Sequence, residues 1–111
     1  MTHKLYDLEN KFIKQTNKFN PVNFTGIVIS RNKDKFWYLN GVFHRLDGPA
    51  YVSFNGSKEW WVNGKLHRLD GPAGEYSDGD KQWYIDGKMI EGATEESFKF
   101  LVDIMKLKGL L

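Results

Sequence analysis

Apolar and polar residues alternate along most of this chain in short runs, with the two-residue period of a half-buried β-strand. The runs are punctuated by Asn40-Gly41, Asn55-Gly56, Asn63-Gly64, Asp78-Gly79 and Asp86-Gly87. Such pairs are the strongest local hairpin signal, because both residues tolerate positive φ. Those at Asn40, Asn63 and Asp86 close an aromatic and β-branched run, and the other two fall between them. The pattern predicts antiparallel strands joined by tight turns, two strands to each period.

The period is 23 residues and extends to side-chain identity. Lys35-Phe-Trp-Tyr-Leu-Asn-Gly-Val-Phe-His-Arg-Leu-Asp-Gly-Pro-Ala50 lies over Lys58-Glu-Trp-Trp-Val-Asn-Gly-Lys-Leu-His-Arg-Leu-Asp-Gly-Pro-Ala73 without a gap. A third copy starts at Lys81-Gln-Trp-Tyr-Ile-Asp-Gly-Lys-Met89 and stops, with Ile90-Glu-Gly-Ala93 where His-Arg-Leu-Asp would stand. Gly26-Ile-Val-Ile-Ser-Arg-Asn32 is a fainter half-copy, one period before Pro49-Ala-Tyr-Val-Ser-Phe-Asn55. Degenerate ends are what capping repeats show. The predicted organisation is one domain: a cap with the half-copy over 1–34, repeats over 35–57 and 58–80, a truncated repeat over 81–93, and a helix over 94–108.

The expected fold is mostly β, an antiparallel meander of β-hairpin repeats that widens by one hairpin per unit and ends in a C-terminal α-helix. Asp47-Gly48-Pro49 and Asp70-Gly71-Pro72 should bend each unit, since proline cannot donate to a central ladder. Trp37, Trp60 and Trp83 occupy one position of successive units, and Tyr38, Trp61 and Tyr84 the next. Neighbouring strand residues point to opposite faces, so each face carries an aromatic column and needs cover.

Part of that cover is legible near the end of the chain. Thr94 suits an N-cap, Glu95 and Glu96 the positive end of a helix dipole, and Lys106 and Lys108 the negative end before Gly109. Phe98, Phe100, Leu101, Val102, Ile104, Met105 and Leu107 leave only Lys99, Asp103 and Lys106 as a polar stripe, an apolar surface wider than one sheet face needs. Two readings stand: a helix buried between the sheet and the N-terminal segment, or one that completes a dimer or grips a partner. In the first thirty residues, Leu5, Leu8 and Phe12 fit one side of a short helix and residues 24–29 fit a strand.

A chain of 111 residues buries only about two-thirds of the surface its unfolded form exposes, so its core must be rich. Four Trp, five Tyr and eight Phe supply it. Cysteine is absent, which removes disulfides, thiol nucleophiles and Cys-ligated zinc. Without an apolar run of membrane-span length or a signal-peptide core at its start, the chain is expected to be cytoplasmic. A net charge of +2 with scattered lysines argues against a phosphate-binding groove.

Trp60-Trp-Val-Asn-Gly-Lys-Leu-His67 resembles the repeat of MORN-type proteins, with a Trp before an Asn-Gly turn and a His after it. Where MORN units continue with Gly-x-Gly, this chain has Arg68-Leu-Asp-Gly-Pro-Ala73. It is closer to a variant family of Trp-Tyr-x-Asn-Gly…His-Arg-x-Asp-Gly-Pro-Ala repeats in small bacteriophage and bacterial proteins. The resemblance covers residues 35 to about 90. It implies a MORN-like hairpin array that binds proteins or membrane lipids, and, in a small phage chain, an inhibitor of a host protein such as a defence component.

The repeated polar residues invite a chemical reading, since His44, Arg45 and Asp47 recur as His67, Arg68 and Asp70. Acid–base catalysis needs one site whose groups are pushed to different pKa values. A set copied in one unit and dropped in the next fits scaffold better: each Asp bonding amides of its own bend, each Arg reaching a carboxylate or carbonyl of the adjacent unit. Zinc needs three or four converging ligands, and His3 is the only further histidine. No catalytic residue, metal or cofactor is expected. The chain reads as a non-enzymatic protein-binding module whose contact residues are Trp37, Tyr38, Trp60, Trp61, Trp83 and Tyr84, with His44, Arg45, His67 and Arg68 along one edge. The alternatives are a homo-oligomer paired through its C-terminal helix or sheet edge, and a binder of lipid headgroups or nucleic acid.

Overall fold

The computed structural model describes residues 2–111. Nine strands form one antiparallel sheet: β1 (His3–Tyr6), β2 (Phe12–Thr16), β3 (Gly26–Ile29), β4 (Lys35–Leu39), β5 (Val42–Phe43), β6 (Tyr51–Val52), β7 (Lys58–Glu59), β10 (Gly74–Glu75) and β11 (Lys81–Gln82). Their order is β2-β1-β3-β4-β6-β7-β10-β11, with β5 paired to β4. Two further hairpins, β8 (Trp61–Val62) with β9 (Lys65–Leu66) and β12 (Tyr84–Ile85) with β13 (Lys88–Met89), stand apart from that sheet. The helix α1 spans Glu95–Leu107. The fold is thus mostly β, a meander of short antiparallel strands with a single C-terminal helix.

The 23-residue period is kept in the pairing. Val28 faces Phe36 and Ile29 faces Lys35; Tyr51 faces Glu59 and Val52 faces Lys58; Gly74 faces Gln82 and Glu75 faces Lys81. The faint half-copy therefore takes the same register as the two full units. Its turn is built alike: the Asp34 and Ser57 amides donate to the Ser30 and Ser53 hydroxyls and to the Asn32 and Asn55 side-chain oxygens.

The two sets of Gly turns differ. At Asn40-Gly41, Asn63-Gly64 and Asp86-Gly87 both residues are left-handed, with φ of 48° and 84°, 50° and 77°, and 48° and 79°. These are the primed turns that match the twist of a two-residue hairpin. At Gly56 and Gly79 only the glycine is left-handed, at 91° and 90°. Trp60 separates the sheet from the projecting β8–β9 hairpin. The Trp60 amide donates to Ala73 O across the main sheet, while Trp60 O accepts from the His67 amide of its own hairpin. Trp37, inside β4, makes the same two bonds with Ala50 and His44.

Two expectations are corrected here. Leu5, Leu8 and Phe12 do not share a helix. Asp7 Oδ1 accepts from the Glu9 and Lys11 amides, Asn10 turns left-handed at φ 67°, and the chain reverses into the β1–β2 hairpin. Leu5 enters the core, while Leu8 and Phe12 stay exposed. Nor is α1 buried against the N-terminal segment, since β1 and β2 lie at the opposite edge from β11. A capping box of Thr94 and Ser97 starts the helix, and Gly109, left-handed at φ 69°, follows its last turn. Phe98 and Val102 pack on Trp83 and Ile85, joined by Leu69, Ile90, Ala93, Leu101 and Met105.

Candidate interaction surface

The bends assemble around the arginines. The Arg68 guanidinium lies 3.8 Å from the centroid of the Trp60 ring, and that of Arg45 lies 4.1 Å from Trp37. In each case Nε donates to the Asp two residues on and Nη1 to the carbonyl of the Pro four residues on: Asp70 and Pro72 at 2.9 and 3.0 Å, Asp47 and Pro49 at 3.0 and 3.1 Å. A Cβ on Gly71 or Gly48 would come within 2.9 Å of the guanidinium carbon, so glycine is needed where the arginine folds across the bend. Both arginines satisfy carbonyls and carboxylates of their own unit, not the adjacent one, and both Asp side chains accept from the arginine. Ala50 and Ala73 are fully buried.

The histidines hold successive hairpins together. His44 Nδ1 accepts from the Asn63 amide at 2.9 Å, and His67 Nδ1 from the Asp86 amide at 3.0 Å. Beside each, the Gly64 and Gly87 amides donate to Phe43 O and Leu66 O, and the Arg45 and Arg68 amides to Trp61 O and Tyr84 O. At the start of the array Thr25 Oγ1 takes the histidine's place, accepting from the Asn40 amide at 2.9 Å. A second latch on the sheet side joins the Phe54 amide to Asp34 Oδ1 and, one period on, the Ser77 amide to Ser57 Oγ. Among the described residues, no three His, Asp or Glu side chains converge as metal ligands would.

The two faces are covered differently. On one, Arg45 and Arg68 lie over Trp37 and Trp60, while in the third unit, where Glu91 replaces the arginine, Phe98 of α1 packs against Trp83 with ring centroids 6.5 Å apart. Between the second bend and α1 runs a cleft of about 520 Å³ over Trp83, Phe98 and Val102, rimmed by both signs of charge.

The other face carries a ladder of rings. Phe19 and Phe24 pack on Tyr38, Tyr38 on Phe43, and Phe43 edge-on to Trp61, while Phe36 bridges Phe43 and Tyr51. Phe36, Tyr38, Phe43, Tyr51, Trp61 and Tyr84 are all partly exposed, and α1 packs instead on Trp83 and Ile85. The row is held from within: Glu59 accepts from Trp61 Nε1 at 3.0 Å and from the Tyr76 hydroxyl at 2.8 Å. Tyr76 lies back over Gly74, whose added Cβ would meet its hydroxyl at 2.7 Å, so Gly74 belongs to a strand packed under a ring and not to a turn. It brings an aromatic ring to the position that Tyr51 holds one period earlier.

Burial pushes the Tyr76 hydroxyl well above the usual tyrosine range, and its donation to the Glu59 carboxylate pushes it further. Burial also raises Tyr38 and Tyr51, the latter helped by the charges of Asp34 and Glu59.

The ten residues singled out from sequence thus fall into three sets. Tyr38 and Trp61 lie on the open ladder, with Tyr84 half-buried at the equivalent position of the third unit; Trp37, Trp60 and Trp83 lie under Arg45, Arg68 and Phe98; and the histidines and arginines serve the latches and bends. Phe36, Phe43 and Tyr51 belong to the ladder and were missed, although their two-residue offsets from Tyr38 and pairing partners are visible in the sequence. Family models, curated proteins and solved structures give no match to this chain.

Proposed function

We propose that this chain is a non-enzymatic protein-binding module that presents its open aromatic ladder to a partner protein. The carrying observation is the row Phe36, Tyr38, Phe43, Tyr51, Trp61 and Tyr84, partly exposed on the face that α1 does not cover. Aromatic rings on a rigid surface make strong contact residues, because they desolvate a large area at small entropic cost. The Glu59 hydrogen bonds to Trp61 and Tyr76 fix the row before binding. Sparse basic residues beside the rings favour protein over nucleic acid, which needs interleaved positive charge. The resemblance to repeats of small phage and bacterial proteins makes a host protein the partner to seek, and inhibition of that protein the consequence to look for.

Affinity capture from a bacterial lysate, followed by binding measurements with the purified captured protein, tests this. Trp61→Ala and Phe43→Ala should each weaken binding at least tenfold while circular dichroism and melting show a folded chain. Phe54→Ala, at an exposed turn off the ladder, should leave binding unchanged. A captured protein that binds all three variants equally would overturn the proposal, as would recovery of no saturable partner.

A further inference from the structure

We propose that the outward face of α1 pairs with the same face of a second copy of this chain, as a short parallel two-stranded coil. The helix has two apolar sides. Phe98, Val102 and Met105 turn inward to Trp83 and Ile85, whereas Phe100 and Leu107 are 67% and 87% exposed. Phe100, Ile104 and Leu107 are spaced four and three residues apart and form one stripe, exposed at Phe100 and Leu107 and half-buried at Ile104.

The spacing matches the d, a and d positions of a heptad, with the inward residues at b and f. A branched Ile at a and Leu at d favour two strands. The flanking charges select the partner and its direction. Asp103 takes the g position and Lys108 the following e position, so in a parallel two-fold pair each Asp103 meets Lys108 of the other copy. Among the described residues neither has an ion-pair partner in its own chain. In an antiparallel pair centred on the stripe, Asp103 would instead face Asp103. The surface is therefore complementary to itself in one orientation, and pairing it leaves the aromatic ladder free.

A seam of three layers should give a weak dimer, one that forms between about 10 μM and 1 mM, the concentrations at which association is worth roughly 4 to 7 kcal/mol. Sedimentation equilibrium of the whole chain across that range should show monomer passing to dimer. Leu107→Lys and Phe100→Lys should hold the chain monomeric throughout, with the melting transition of the monomer retained because neither side chain enters the core. Asp103→Lys alone should weaken the dimer at least tenfold, and the double variant Asp103→Lys/Lys108→Asp should restore it, which an antiparallel pair could not do. A monomer at 1 mM overturns the proposal, as does a dimer indifferent to Leu107→Lys. A double variant as weak as Asp103→Lys alone overturns the parallel arrangement.

Discussion

Tyr76 shows how one side chain can set a chemical limit on the fold. Its hydroxyl donates to Glu59, and burial together with that carboxylate raises its pKa above the ordinary 10.0. The native chain then keeps a proton that the unfolded chain releases, so the associated stability is present in full below about pH 10 and is lost as pH climbs toward the folded value. Tyr38 and Tyr51 act with the same sign. Urea midpoints measured from about pH 8 to 11 should fall more steeply for the natural chain than for Tyr76→Phe, which starts lower at pH 8 for want of the hydrogen bond. Equal slopes would show that this phenol is not linked to folding. Nothing about Tyr76 is legible in the repeat, because it stands where the preceding unit has Ser53; only packing over Gly74 reveals that it takes over the role of Tyr51. By contrast, the meaning of Arg-x-Asp-Gly-Pro could be read halfway. Duplication argued for scaffold, but that the arginine serves its own bend, over a Trp and against a Gly, depends on a chain reversal that spacing alone does not determine.

At the scale of elements, the hairpins and the helix were the legible parts, because primed turns and an N-cap are encoded within four residues of sequence. The β1–β2 hairpin was not, since Leu5, Leu8 and Phe12 satisfy a helical spacing while the Asp7 carboxylate and left-handed Asn10 drive a reversal. The separation of β8–β9 and β12–β13 from the sheet was equally hidden, since the first unit, with the same turn and the same Trp bonds, keeps β5 paired to β4 within it. What joins those hairpins is the pair of histidine latches, in which Nδ1 must lack a proton to accept the next unit's turn amide. His44→Ala and His67→Ala should each cost about 1 kcal/mol, the net worth of one hydrogen bond with modest packing. Hydrogen exchange locates the effect: His67→Ala should speed exchange of the Asp86 amide and leave that of Asn63 protected, and His44→Ala should do the reverse. If either variant loosens both amides equally, the latches are not local.

On the scale of the molecule, stacking of identical registers matters more than any single core. The described residues extend over 45 × 31 × 20 Å, and the apolar cluster under α1 serves only one end of them. Mid-array stability instead comes from units that hold only their neighbours, through the sheet register, the latch from residue 34 or 57 to the amide twenty residues on, and the histidine latch. The meander and its period were legible because each unit repeats the same local instructions. Where the array ends was legible too, in the loss of His-Arg-x-Asp after Met89; that α1 stands in for the missing arginine, covering Trp83 as Arg68 covers Trp60, required the third dimension. This arrangement makes a nearest-neighbour prediction. Inserting a second copy of residues 58–80 between Asp80 and Lys81 creates only junctions of kinds already present: Arg over Trp, His to the turn amide, and the Asp80 carboxylate to the amide twenty residues on, as Asp34 accepts from Phe54. The lengthened chain should fold cooperatively, with a higher urea midpoint and a larger m-value, since m grows with the surface exposed on unfolding. Two separate transitions, or a midpoint below that of the natural chain, would mean that the end caps specify the fold and the units merely fill it.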